Sequence, residues 1–141
     1  MGRIVFLDTG FISAYINKAD NKHKDAKDLI EQSLIKDPTI RFCYTDYIFD
    51  ELITQLKSQK VHAEIIESIG DTLQKSKLWK MIKISENDFV KTWNMAKKYS
   101  DKEWSFTDMT SFVVMDTYKI SLFLSYDRHF KEYPKIQQYT I

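Results

Sequence analysis

Two apolar runs that lead into aspartate constrain this chain more than any other feature. In 3-RIVFLDTG-10, Ile4, Val5, Phe6 and Leu7 pass without a polar break into Asp8. In 121-SLFLSYDRHF-130, Leu122, Phe123 and Leu124 are followed closely by Asp127. An unbroken apolar run, rather than an alternating one, marks a strand buried on both faces, as in a parallel sheet covered by helices on each side.

The intervening sequence supplies such helices. Residues 9–17 read as a short helix. Residues 22–36 carry Ala26, Leu29, Ile30 and Leu34 at helical spacing, and Asp37-Pro38 stops them. Residues 40–44 read as a strand, with Thr45 or Asp46 capping a helix whose apolar face is Ile48, Phe49, Leu52, Ile53 and Leu56. Residues 61–75 repeat the helical pattern with Ile65, Ile66, Ile69 and Leu73, and residues 78–84 read as a strand. Ser85 and Asp88 have capping-box spacing and open a helix expected to pack through Phe89, Trp93 and Ala96. Ser105 or Thr107 caps a further helix through about Tyr118. Residues 120–125 form the next strand, and a weak last one is expected near 136–141. Strands alternating with helices give an α/β fold with a mainly parallel sheet.

Length and composition narrow the class. The 141 residues suit one domain, expected to span 1–141, and the 3 glycines and 2 prolines leave little room for long loops. A formal charge of +1 neither demands nor forbids a nucleic-acid partner. The lone Cys43 excludes an intrachain disulfide and suits a reducing compartment. No apolar run is long enough for a signal peptide or a membrane span, so the expected location is cytoplasmic.

In open parallel sheets, ligands bind outside the carboxyl ends of the strands. Asp8 and Asp127 leave their strands there. Glu51, in 46-DYIFDELITQL-56, sits at the edge of a helix face, and Asp108, in 104-WSFTDMTSFVVM-115, lies in a first helical turn. Singly, each has an ordinary explanation: a carboxylate near a helix N-terminus is stabilised by roughly 0.3–1 kcal/mol. Together they point to a cation, because two ionised carboxylates 4 Å apart repel by about 4 kcal/mol at an effective dielectric of 20. Oxygen ligands favour Mg²⁺ or Mn²⁺. His23, His62 and His129 lie far apart along the chain, without zinc-ligand spacing. Carboxylate-held Mg²⁺ is a common means of phosphodiester cleavage, with water as nucleophile.

These segments resemble the PIN-domain nucleases, and among them the VapC-type toxins. The matching pieces are 4-IVFLDTGFISAYI-16, 45-TDYIFDELITQL-56, 105-SFTDMTSFVVMDTYKI-120 and 121-SLFLSYDRHF-130, in the family's order, ending in its S/T-x-D-x-x-F pattern. The resemblance implies a three-layer α/β/α sandwich with about five strands. It also implies four catalytic, metal-holding acids, Asp8, Glu51, Asp108 and Asp127, with Thr9 at a position where the family often carries a hydroxyl near the metal. Ser125 is a further supporting candidate, and Asp116, two turns beyond Asp108, a fifth acid with an outer or surface role. Family members are typically Mg²⁺- or Mn²⁺-dependent endoribonucleases that cut structured RNA such as tRNA or rRNA. The toxin members form homodimers and are silenced by a protein antitoxin.

Arg128, His129 and Lys131, beside Asp127, are candidates for RNA phosphate contacts, and Tyr44, Tyr47, Trp104 and Phe106 for base stacking. Residues 57–85 fall where the family varies in length and receive no role. The alternatives are a catalytically silent PIN-like module that binds RNA or protein, and an RNA-processing or flap nuclease without an antitoxin. Asp8-Thr9-Gly10 imitates the aspartic-protease triplet, but those proteases are all-β. A haloacid-dehalogenase-type phosphotransferase would need an aspartate where Gly10 stands, and no phosphate-binding glycine loop occurs.

Overall fold

The computed structural model describes residues 2–141. Its elements alternate as the apolar pattern requires: β1 (Ile4–Leu7), α1 (Thr9–Ile16), α2 (His23–Lys36), β2 (Arg41–Thr45), α3 (Asp46–Ser58), α4 (Ala63–Lys75), β3 (Trp79–Ile82), α5 (Glu86–Lys98), α6 (Phe106–Thr117), β4 (Leu122–Leu124), α7 (Arg128–Glu132) and β5 (Gln137–Gln138).

The five strands form one sheet in the order β3-β2-β1-β4-β5, and each neighbouring pair is parallel. The two apolar runs that lead into aspartate are adjacent in it as β1 and β4, with Val5 opposite Leu122 and Leu7 opposite Leu124. From β1 the chain moves outward through β2 to β3, then returns across β1 to β4. Right-handed crossovers therefore lay α1–α4 on one face and α5–α7 on the other, which makes the three-layer sandwich. The aromatic packing agrees with this division. Phe42 and Tyr15 meet Trp79 on the first face, with ring centroids 6.0 and 5.0 Å away. Phe6, Phe112 and Phe123 surround Phe130 on the second. Val5, Phe6, Leu7 and Leu124 have no exposed surface, as expected of strands covered on both sides.

Helix starts follow the side chains that cap them. Thr45 caps α3 by accepting from the Ile48 N–H at 3.1 Å. Ser85 and Ser105 form capping boxes with Asp88 and Asp108 at the starts of α5 and α6. Of the two caps expected for α6, Ser105 holds the position and Thr107 lies inside the helix. Asp46 ties the end of β3 to α3 by accepting from the Ile84 N–H at 2.9 Å.

Two expectations are corrected. Phe89 and Trp93 do not pack inward: they are 46% and 55% exposed, and α5 buries Asp88 and Thr92 instead. Polar burial is possible there because the Thr92 hydroxyl donates to the Asp88 carbonyl at 2.7 Å and Thr117 reaches the Asp88 carboxylate at 3.4 Å. The segment after Asp127 is a short helix, α7, where the sequence had suggested no element.

Candidate active site

The chain leaves β1 directly into α1, and Asp8 is the junction. Its extended backbone (φ −87°, ψ 173°) makes it the N-cap, with Oδ1 accepting from the Phe11 N–H at 2.8 Å. Its Oδ2 accepts from the Ser125 hydroxyl. Ser125, one residue past β4, in turn accepts from the Asp127 N–H at 2.9 Å. One serine thus couples the ends of the two central strands. Asp127 caps α7, its Oδ1 accepting from the His129 N–H at 2.9 Å. Asp108 is fixed by its capping box, taking the Ser105 N–H at 3.0 Å.

These carboxylates face a cleft of about 150 Å³ at the carboxyl edge of the sheet. It is lined by Asp8, Thr9, Glu51, Asp108 and Asp127, with Ser111 on its wall. All four acids singled out from the sequence border it, although they come from a strand end, two helices and a loop. Gly10 also borders it, and its bare backbone adds no side chain to the mouth of the cleft.

The electrostatics are those of a concentrated negative site. Asp8 is only 6% exposed. Burial, reinforced by the Asp127 and Asp108 carboxylates, pushes its pKa up to about 7 against the opposing bonds from Ser125 and Phe11. Burial likewise raises Asp108, with Asp127 adding to the rise and the Ser105 N–H and His129 opposing it. Removing a carboxylate from water disfavours its charge unless a cation is supplied. The donor set fits a divalent ion: ligand atoms of Asp108, Asp127 and His129 lie within 4.8 Å of one another. Asp8 and Glu51 add oxygen donors from the same cleft.

The supporting residues divide. Thr9 and Ser125 lie at the site as just described. Asp116 does not: its carboxylate accepts from the Tyr133 hydroxyl, and it is not among the cleft residues. Two helical turns beyond Asp108, it has rotated about 80° away. Arg128 is solvent-exposed and pairs with Glu103 at 3.5 Å, and Lys131 is an exposed residue of α7. His129 turns inward, its Nδ1 standing 3.5 Å from Asp108 and 3.4 Å from Asp127. Chain spacing did not reveal this nitrogen donor; the signal available was Asp-x-His at the first turn of a helix. His23 is engaged elsewhere, donating from Nδ1 to the Ala14 carbonyl at 2.9 Å.

The base-stacking expectation is corrected for two residues. Tyr44 has no exposed surface, and its hydroxyl donates to the Leu73 carbonyl at 3.1 Å. Trp104 is 7% exposed, wedged among Tyr99, Phe112 and Tyr133 with its indole N–H on Glu132. Tyr47 and Phe106 remain half-buried, 6.2 Å apart.

A family model of the PIN domain matches residues 5–136. No curated protein matches the chain. Among solved structures, it superposes on VapC20 of Mycobacterium tuberculosis, a sarcin-ricin loop cleaving toxin, with a TM-score of 0.81 at 22% identity, covering 94% of this chain and 96% of that one. VapBC2 from Rickettsia felis, bound to a DNA fragment from its promoter, gives 0.67 at 14% identity over 96% and 97% of the two chains. A toxin–antitoxin complex from Klebsiella pneumoniae gives 0.60 at 12% identity over 94% and 95%. At these identities the likenesses establish the fold. Among the described residues, no helix is long and apolar enough to cross a membrane.

Proposed function

Because the chain belongs to the PIN-domain family, we propose that it is a divalent-metal-dependent endoribonuclease and the toxin of a toxin–antitoxin pair. The single observation that carries the reading is the convergence of Asp8, Glu51, Asp108 and Asp127 on one cleft at the carboxyl edge of the sheet. The toxin role draws support from the solved structures of the same fold, which include VapC20, VapBC2 and a toxin–antitoxin complex. The substrate class is structured RNA of the tRNA or rRNA kind, and the protein partners are an antitoxin and a second copy of the chain. The chain works as a single domain in the cytoplasm.

Asp8, Glu51, Asp108 and Asp127 hold Mg²⁺ or Mn²⁺ in this reading. When bound, such an ion lowers the pKa of a water and stabilises the charge that develops in phosphodiester cleavage. The chain's own contribution is positional. Ser125 and the Phe11 N–H fix both oxygens of Asp8, and capping bonds hold Asp108 and Asp127 on rigid helix ends. To serve as a ligand, the Asp8 carboxyl, whose pKa burial raises to about 7, would have to be deprotonated. Arg128 and Lys131, exposed on α7 beyond Asp127, serve phosphate oxygens in this reading, and Tyr47 and Phe106 serve bases.

The test is cleavage of total cellular RNA by purified protein, with and without Mn²⁺, and with the product of a neighbouring open reading frame added. The expected result is defined RNA ends that vanish with EDTA, with Asp127→Asn and with the neighbouring product. Tight RNA binding with no metal-dependent ends would instead mark a silent binding module.

A further inference from the structure

We propose that His129 is itself a metal ligand, and that with Asp108 and Asp127 it builds a mixed nitrogen–oxygen position that favours a transition-metal ion over Mg²⁺. The inference rests on the metal-nuclease reading above and specifies which ion the site selects.

The geometry separates two roles open to this imidazole. A charged hydrogen bond to one carboxylate would draw Nδ1 to roughly 2.7–2.9 Å from it. Nδ1 instead stands 3.5 Å from Asp108 Oδ2 and 3.4 Å from Asp127 Oδ1, almost equidistant and bonded to neither. Two donors that are neighbours in the shell of an ion, each about 2.1 Å from it, stand roughly 3.0–3.4 Å apart. The observed separations meet that spacing to within about 0.1 Å at its wide end, and all three residues offer ligand atoms within 4.8 Å of one another.

The ring is also held. The His129 side chain is only 20% exposed. Its backbone N–H is committed to Asp127 Oδ1, so residues 127 and 129 are locked in the first turn of α7. Asp108 is independently fixed by its Ser105 box across the cleft. Three donors on two rigid helix starts form a preset triad, not a flexible acidic patch.

The chemistry follows from the nitrogen. Mg²⁺ takes oxygen ligands and keeps much of its water, whereas imidazole suits the later first-row transition metals best; Mn²⁺, at the weak end of that series, also takes oxygen but accepts a nitrogen donor more readily than Mg²⁺ does. Replacing one carboxylate oxygen by imidazole also removes a negative charge from the position, which weakens it most for the hard ion. The residues around Asp8 and Glu51 supply only oxygen and carry no such bias.

The test is direct binding of Mn²⁺ and Mg²⁺ to wild-type protein, His129→Ala and His129→Gln, by titration calorimetry. Electron spin-echo spectroscopy of the Mn²⁺-loaded protein reads any ¹⁴N coupling. Thermal melting in EDTA checks that each variant is folded. Expected are tighter binding of Mn²⁺ than of Mg²⁺ by wild type and a nitrogen coupling that disappears in both variants. Mn²⁺ affinity should fall about tenfold or more in His129→Ala, while Mg²⁺ affinity changes by less than about threefold. In His129→Gln, which returns an oxygen, the preference for Mn²⁺ should collapse. Folded variants that bind Mn²⁺ as wild type does, or a wild-type spectrum without nitrogen coupling, would overturn the role of His129 and leave the metal-nuclease reading intact. A wild-type protein that binds neither ion would overturn both.

Discussion

The first turns of α5 and α6 begin from the same local sequence logic and end in different roles. Each has a serine N-cap and an aspartate three residues on, with reciprocal bonds: Asp88 N–H to Ser85 Oγ and Asp108 N–H to Ser105 Oγ, both 3.0 Å. At α5 the aspartate is 3% exposed, and Thr117 from the neighbouring helix takes its other oxygen at 3.4 Å. At α6 the aspartate faces His129 and the Asp127 carboxylate across the cleft. Both boxes use Oδ2 of the acid to hold the serine N–H; at Asp88 the remaining Oδ1 meets a hydroxyl, whereas at Asp108 the same Oδ2 also stands 3.5 Å from His129 Nδ1. Where a hydroxyl answers, the acid is structural; where another carboxylate stands near, burial and that charge raise its pKa.

Exchanging one acid at a time should break the symmetry most sharply. Asp108→Asn should lower metal-dependent RNA cleavage by about a thousandfold, because it removes a fixed charge from the site. Asp88→Asn should leave cleavage per folded molecule unchanged and cost about 1–2 kcal/mol in a urea melt, since it weakens a cap and a buried bond. If Asp88→Asn were the inactive one, the division between the two helix starts would be wrong.

A second contrast uses pH on metal-free protein. Asp8 carries a folded pKa near 7 against a reference value of 3.8. Below the lower value both states are protonated and stability is full. Between the two values the unfolded chain gives up its proton first, so stability declines as pH rises, and the loss is complete above about 7. At about 1.4 kcal/mol per pH unit, the whole effect is on the order of 4 kcal/mol. Melts between pH 5 and 8 should therefore show wild type falling relative to Asp8→Asn, whose amide has no such charge to bury. Saturating Mn²⁺ should abolish the difference by stabilising wild type most at high pH. Parallel curves without metal would count against a strained acid at this position.

The smallest effect concerns the opposite ends of the same two helices. The α6 end closes with Ile120 N–H on the Met115 carbonyl at 2.8 Å and Lys119 in the left-handed region at φ 57°. The α5 end passes through Tyr99 at φ −107°. Lys119→Gly should raise stability by up to about 1 kcal/mol, because glycine accepts that conformation without a Cβ clash. Ser100→Gly, after α5, should lower it slightly. Matched denaturant melts would show whether the signs are opposite.

What could be read in the sequence was what local chemistry decides. The runs into Asp8 and Asp127 gave the central strands, since a strand buried on both faces admits only apolar side chains. The two serine–aspartate boxes marked their helices because capping acts within one turn. The convergence of four acids could be argued from strand ends and helix edges, and then from the resemblance. What could not be read depended on partners distant in the chain. Phe89 and Trp93 have the helical spacing of a packed face, yet α5 turns Asp88 and Thr92 inward beside Met95 and Ala96, because Thr117 is there to receive Asp88. The α7 helix is too short to show any periodicity. His129 escaped notice as a ligand because spacing rules compare neighbours along the sequence, and Asp108 reaches it only through the order of the sheet.

That order also has a temporal side. The hydroxyl that holds Asp8 belongs to Ser125, 117 positions later in the chain. As the polypeptide emerges from the ribosome, β1 must therefore wait for α1 through α6 before its neighbour β4 arrives. Until then the first aspartate has no companion from β4, and no partly made copy can assemble the pocket. A protein whose proposed work is to cut the cell's own RNA therefore cannot complete this pocket until Ser125 and Asp127 have been made.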